Sequence, residues 1–259
     1  MMRHLLLFMI LLVSACASSH ATQIPYMSEA MIPPGGSIEA TVSKPSGVGP
    51  FPAVILLHGC GGINPYSMAV LTGYADHFNA QGYVTVIADS FSQRTKKDVC
   101  EYPNLVSVLD RTEDAYSILR WLNATGYVIP NRVALLGQSH GGGTILAVAE
   151  HQYRQDEHFA GGIALYPWCP DGPNPTKFPL LVLIGGLDSW TPAGRCTPYA
   201  ERVAGLGHQI EYHVYPNAAH AYDMRGPMRV DHNHLLGWNG EAALDTSERI
   251  DRFLATVLK

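Results

Sequence analysis

Apolar positions along this chain fall into short unbroken runs that alternate with segments of helical spacing. The runs Ala53–Leu57, Tyr83–Ala88, Val133–Leu136, Gly161–Tyr166 and Leu180–Ile184 carry almost no polar residue. Runs of this kind predict strands of a parallel sheet whose two faces are both covered by helices. Ser37–Lys44 alternates instead, with Ile38, Ala40 and Val42 on one side, and predicts an antiparallel edge strand. Gln209–Tyr215 alternates through Ile210, Tyr212 and Val214 and predicts the last strand. Between the strands, helices are predicted over Tyr66–Gln81, Leu105–Leu122, Thr144–Glu150 and Thr197–Ala204, with an amphipathic Glu241–Leu258 closing the chain. In Leu105–Leu122 the charges Asp110, Arg111, Glu113, Asp114 and Arg120 lie largely off the apolar stripe, and Asn123–Pro130 predicts a turn region. Strands alternating with helices through short connections, without a repeat, predict an α/β fold. The expected architecture is a single domain built on one doubly wound, mostly parallel sheet. In such sheets functional groups gather beyond the carboxyl ends of the strands.

One junction of strand and helix has a chemical signature. The run Val133–Leu136 leads into Gly137-Gln138-Ser139-His140-Gly141 and then into a helix. A G-x-S-x-G segment in that context is a nucleophile elbow, a sharp turn that lifts the serine hydroxyl clear of the sheet. A serine needs a base beside it, and the base needs an acid that sets its tautomer and stabilises its cation. Asp188 follows Leu-Ile-Gly-Gly at a strand end, and His220 follows the last strand in Asn-Ala-Ala-His-Ala-Tyr. Asp171 and Asp223 are weaker rivals for the acid. Of the chain's 12 histidines, His220 is the one placed as a base. Asp231-His232-Asn233-His234 is a weak metal pattern, and no metal or organic cofactor is implied. Donors for a developing oxyanion are expected from the His140 N–H and from the Cys60 N–H in His58-Gly59-Cys60-Gly61-Gly62, just past the first central strand.

Composition narrows the partners. The chain has 259 residues, 47% hydrophobic and 15% charged, with a formal charge of −5. A nucleic-acid partner is not expected, because phosphate contacts need a concentrated basic surface. The one basic cluster, Arg94-Thr95-Lys96-Lys97, reads as a solvated loop.

The N-terminus adds a location. A basic head, Met1–His4, precedes the apolar Leu5–Val13, which is too short to span a bilayer. Val13-Ser14-Ala15-Cys16 then resembles a bacterial lipobox, with Cys16 as the lipidated residue. Residues 1–15 are expected to be a signal peptide, 16–35 a tether and 36–259 the folded domain. The cysteine is followed by Ala17-Ser18-Ser19 rather than Asp, which favours the outer membrane, so the expected home is the bacterial cell envelope. Export leaves Cys60, Cys100, Cys169 and Cys196 in an oxidising compartment, with three possible pairings.

The motifs together carry a resemblance. His58-Gly59-Cys60-Gly61-Gly62, Gly137-Gln138-Ser139-His140-Gly141-Gly142, Gly185-x-x-Asp188 and His220-Ala221-Tyr222 resemble the dienelactone hydrolase family of α/β hydrolases over residues 36–259. The resemblance implies cleavage of an ester or lactone of small size by Ser139, Asp188 and His220 through an acyl-enzyme. Amide cleavage and a non-catalytic binding lipoprotein are the alternatives. The chain departs from the founding enzymes by carrying serine where they carry cysteine, and it lacks their acidic residue after the first central strand. The strand neighbours of this fold imply disulfides Cys60–Cys100 and Cys169–Cys196. Arg94 is the expected carboxylate-binding residue. Trp190 and Tyr222 are expected to bind substrate, with further pocket walls from Tyr66, Phe91, Trp168 and the loop Tyr222–Trp238.

Overall fold

The computed structural model describes residues 18–25, 36–151, 157–172 and 175–259. Cys16, the expected lipidated residue, and the expected signal segment 1–15 lie outside them. Eight strands form one sheet: β1 (Ser18–Pro25), β2 (Ser37–Lys44), β3 (Phe51–Leu57), β4 (Val84–Asp89), β5 (Val128–Gln138), β6 (Gly161–Leu165), β7 (Leu180–Gly185) and β8 (Ile210–Tyr215). Their spatial order is β1-β2-β4-β3-β5-β6-β7-β8. β3 to β8 are mutually parallel, and β1 and β2 run antiparallel at one side. This is the single-domain, doubly wound α/β fold that the alternation predicts.

Among the described residues five α-helices cover the sheet: α1 (Pro65–Ala80), α2 (Val108–Ala124), α3 (His140–Glu150), α4 (Ala193–Gly205) and α5 (Gly240–Val257). Among the described residues, no helix is long and apolar enough to cross a membrane. Local chemistry sets several starts. Asn64 accepts from the Tyr66 and Ser67 N–H groups while Ser67 Oγ accepts from the Asn64 N–H, with Pro65 in the first turn. These reciprocal bonds satisfy donors that a helix leaves unpaired. Ser107 and Asp110 build the same box on α2, and Asn239 caps α5. The central strands β3, β5, β6 and β7 are buried along their apolar runs, as strands covered on both faces must be.

Four expectations need correction. The segment expected to be a tether contains β1, which pairs with β2 along its whole length. Only Ile24 of β1 is buried, so hydrophobic periodicity carries almost no signal there. β2 is consequently paired on both sides rather than at the edge. The region taken as a turn before Pro130 already holds the start of β5 at Val128. A small hairpin, β9 (Arg229–Asp231) with β10 (His234–Leu236), stands in what reads as loop.

The charges of α2 are not on a solvent face. Arg111 and Asp114 are fully buried. Asp114 is paired to Arg94, with Oδ1 2.8 Å from Nη2 and Oδ2 3.0 Å from Nη1. Removing one partner of a buried pair strands the other charge, so Asp114→Ala should destabilise the protein by about 3–5 kcal/mol. A urea titration reads this as a shift of the midpoint, and a midpoint unchanged from wild type would mean the pair contributes nothing.

Candidate active site

The end of β5 turns so sharply that two glycines are obligatory. A Cβ on Gly137 would lie 2.2 Å from the Gly141 carbonyl oxygen, and one on Gly141 would lie 2.4 Å from the Leu57 carbonyl oxygen. Ser139 sits at the apex with φ +52° and ψ −112°, a conformation that a non-glycine residue keeps only when its surroundings impose it. Its N–H donates to the Leu165 carbonyl at 2.9 Å, and its carbonyl accepts from Gly143 at 2.9 Å. Tyr166 (φ +39°) and Ala221 (φ +52°) are strained in the same sense, and both line the same cleft as Ser139.

β7 and β8 deliver the partners. His220 Nε2 is 3.0 Å from Ser139 Oγ, and Nδ1 is 2.7 Å from Asp188 Oδ2. The carboxylate fixes the tautomer: Nδ1–H donates to Asp188, leaving Nε2 to accept from the serine hydroxyl. Asp188 is held by the N–H groups of Trp190 (2.9 Å) and Thr191 (2.8 Å) on Oδ1, and by the Thr191 hydroxyl (2.8 Å) on Oδ2. All three side chains are buried. Asp171, a rival acid, is exposed and paired with Arg195. Asp223, the other rival, accepts from Tyr74 (2.9 Å), Gln138 (2.9 Å) and Tyr166 (2.7 Å). Burial raises its pKa against the pull of those three bonds.

The loop after β3 closes the other side. His58 Nδ1–H donates to the Gly59 carbonyl (2.7 Å), and Nε2 accepts from the Ser90 N–H (3.2 Å). Disulfides join Cys60 to Cys100 and Cys169 to Cys196, the pairs implied by the strand neighbours. The first of them lines the cleft, as do Gly59, Gly61 and Gly62. Because Cys100 is in a disulfide, the nearby group Asp98, Cys100 and His232 offers no thiolate to a metal. His140 opens α3 directly after the serine.

Under both loops lies Arg111. It donates to the His58 carbonyl (2.8 Å) and to His140 Nδ1 (2.9 Å), and its guanidinium lies 5.3 Å from the centre of the Phe91 ring. Burial lowers its pKa to about 10. Accepting from Arg111 leaves His140 a proton only on Nε2, which donates to the Pro103 carbonyl at 3.2 Å. Burial, and then the neighbouring guanidinium, lower the His140 pKa to about 3. Burial likewise holds His58 well below its usual range.

Other expected contacts fall differently. Arg94 is directed to Asp114 and the Ser90 carbonyl and is not part of the cleft wall. Its place in the chain suggests proximity to the site, but the buried carboxylate of α2 attracts it away. Tyr222 is fully buried behind Tyr166 and accepts from the Thr246 hydroxyl, so it supports the cleft without facing it. Phe91 is buried, and the Trp168 ring packs under Arg195 outside the cleft. Trp190 does line the cleft, with its ring 5.2 Å from His220 and stacked on His234 at 5.0 Å. Tyr66 lines it too, with Met224, Arg229 and Leu236 from the expected covering loop. The cleft encloses about 390 Å³, within the range of small-molecule sites. Gln138 stands inside the G-x-S-x-G segment; Tyr166, Thr191 and Arg111 carry no motif and are drawn in only by packing.

Comparisons with known proteins place the family and the fold. The model of the dienelactone hydrolase family matches residues 38–258. A candidate carboxymethylenebutenolidase of Azospirillum brasilense is 26% identical over 239 residues, 84% of this chain and 96% of that protein. The quorum-quenching protein AidA of Acinetobacter baumannii is 31% identical over 104 residues, 40% of this chain, and the match spans 32% of its length. In structure, a candidate dienelactone hydrolase of Klebsiella pneumoniae superposes with a TM-score of 0.73 at 18% identity, covering 93% of this chain and 99% of its own.

The buried neutral histidines set a pH dependence. His58 and His140 have depressed folded-state values, so the unfolded chain binds more protons below its own histidine value of about 6.5. Their stabilisation is complete above that pH and is lost as pH falls toward the folded value of about 3 for His140. Asp223 acts with the opposite sign, since its raised pKa costs stability as pH rises through it. Unfolding free energies from urea titrations should therefore decline as the solution is acidified below about pH 6.5. His140→Gln should decline less steeply, and an unchanged slope would show that His140 is not a buried neutral base.

Proposed function

This chain belongs to the dienelactone hydrolase family, and from that premise we propose that it is a serine hydrolase that cleaves a carboxylic ester or lactone through an acyl-enzyme. The observation that carries the reading is the hydrogen-bonded line from Ser139 Oγ through His220 to Asp188, at 3.0 and 2.7 Å, at the head of a cleft. His220 Nε2 takes the hydroxyl proton as Ser139 Oγ bonds to the carbonyl carbon. The carbonyl π-electrons move to oxygen, and the N–H groups of Cys60 and His140 hold the resulting oxyanion. Asp188 stabilises the imidazolium and keeps its ring oriented. As the oxyanion collapses, the C–O bond to the alcohol breaks and His220 gives its proton to the departing oxygen. Water then enters, and His220 takes its proton as the water oxygen bonds to the acyl carbon; when this second oxyanion collapses, the bond between that carbon and Ser139 Oγ breaks, His220 returns the proton to Oγ, and the acid leaves. The carboxymethylenebutenolidase likeness supports an ester or lactone over an amide. The Cys60–Cys100 disulfide supports the oxyanion role by tying down the loop that presents one donor.

Ser139→Ala should lower ester turnover by at least about a thousandfold, as for other triad nucleophiles. A fluorophosphonate probe should label wild-type protein at Ser139. Near-normal turnover by the variant, or a label on another residue, would move the chemistry elsewhere.

In the same reading residues 1–15 are a signal peptide, Cys16 carries the lipid, and the domain hangs from a membrane of the cell envelope, the outer one. The support is Val13-Ser14-Ala15-Cys16 with Ala17 after it. Because β1 begins at Ser18, the domain sits close against its anchor rather than at the end of a long tether. Cells fed labelled palmitate should incorporate it into the wild-type chain and not into Cys16→Ser. Equal labelling of both would refute lipidation at Cys16.

A further inference from the structure

A second hollow lies on the far side of Tyr66, over the faces of α1 and α5. It encloses about 630 Å³, and its walls include Ala69, Val70, Gly73, Tyr74, Trp238 and Ala243. Pro65 and Tyr66 line both this groove and the cleft that holds Ser139. The two spaces therefore meet over one shared wall, and the Tyr66 ring on that wall is largely exposed.

Two of the polar groups around the groove, Tyr74 and His77, are engaged with the protein, while Ser247 and Arg225 stand at its walls as well. Tyr74 donates to Asp223, whose carboxylate also takes Gln138 and Tyr166. His77 pairs with Asp251. Arg225 lies with its guanidinium 5.2 Å from the centre of the Trp238 ring. Most of the remaining wall, from Pro65, Ala69, Val70, Gly73, Trp238 and Ala243, is apolar. Ala69 and Gly73 stand one helical turn apart on α1, so their small side chains leave the floor low. A Cβ built on Gly73 meets no atom within 4 Å.

Resting on the serine-hydrolase reading, we propose that the substrate is an ester with a long apolar arm, which runs from the cleft over Tyr66 into the groove between α1 and α5. A small lactone would occupy only the 390 Å³ cleft and leave the groove beyond Tyr66 unused. A chain of methylenes matches its mostly apolar walls, because each methylene removed from water strengthens binding. When such an arm is bound, Tyr66 and Pro65 are its midpoint contacts.

The open space at Gly73 provides the test, because a larger side chain there fills the groove without a backbone clash and replaces a poor helix former. Ester turnover is compared for p-nitrophenyl acetate and decanoate, which vary the acyl arm, and for ethyl and decyl acetate, which vary the alcohol arm. Wild-type kcat/KM should rise with length in one of the two series. Gly73→Phe should lower kcat/KM for the long member of that series by about tenfold or more, while the short member changes by less than about twofold. Melting temperature and acetate turnover report whether the variant is folded, and Ala69→Leu, filling the same floor, repeats the measurement should it not be. Equal effects on long and short esters, or no length dependence in wild type, would overturn the proposal. Normal turnover of short esters together with such a result would discard the apolar arm alone. No turnover of any ester and no label at Ser139 would discard the serine-hydrolase reading itself.

Discussion

The structure depends on one close approach, where the turn after β5 passes within contact distance of the end of β3. Gly141 rests against the Leu57 and His58 carbonyls, and Gly137 rests against Gly141. Only residues without a Cβ let two adjacent parallel strands end this near each other while one of them reverses into a helix. That crowding forces Ser139 into its positive-φ conformation and puts its hydroxyl 3.0 Å from His220. The same approach brings the His58–Gly62 loop alongside α3, so the site is a product of how two strand ends share a confined space.

Buried polarity then stabilises what the crowding creates. Arg111 reaches from α2 to the His58 carbonyl on one loop and the His140 ring on the other. A buried guanidinium is costly unless its donors find acceptors, so both loops are held where those acceptors must be. On the opposite wall Asp223 gathers Tyr74, Gln138 and Tyr166 around one carboxylate. Tyr166 packs edge-on against the His220 ring at 4.8 Å, so this second network bears on the first through a ring contact.

Covalent and β-type links restrain the cleft from outside. The Cys60–Cys100 disulfide fastens the loop after β3 to the segment after β4. The β9–β10 hairpin holds His220 through its backbone: the His220 N–H donates to Leu235, and the His220 carbonyl accepts from Gly237, each at 3.3 Å. Trp190 lies between His220 and His234 of this hairpin. The position of His220 therefore depends on a small element whose residues do not otherwise enter the sheet.

The order of strands and helices was legible in the chain, because continuous apolar runs and helical stripes follow directly from burial on two faces or on one. Ser139, Asp188 and His220 were legible as well: each stands past a strand end with small residues around it, and short-range chain geometry suffices to mark such turns. The disulfide pairs were implied by the family resemblance, which sets the strand neighbours. Periodicity was silent where burial and polarity part company. β1 buries one residue and leaves no pattern. Arg111 and Asp114 look like solvent-facing charges until the loops after β3 and β4 supply their partners. Tyr222 follows His220 by two residues and Arg94 lies in the loop after β4, yet Arg94 turns to Asp114 and Tyr222 into the core. Chain position constrains which backbone segments meet at a sheet edge. The direction of a long side chain is settled by the charges and cavities that distant segments bring to it, and only the folded chain brings them.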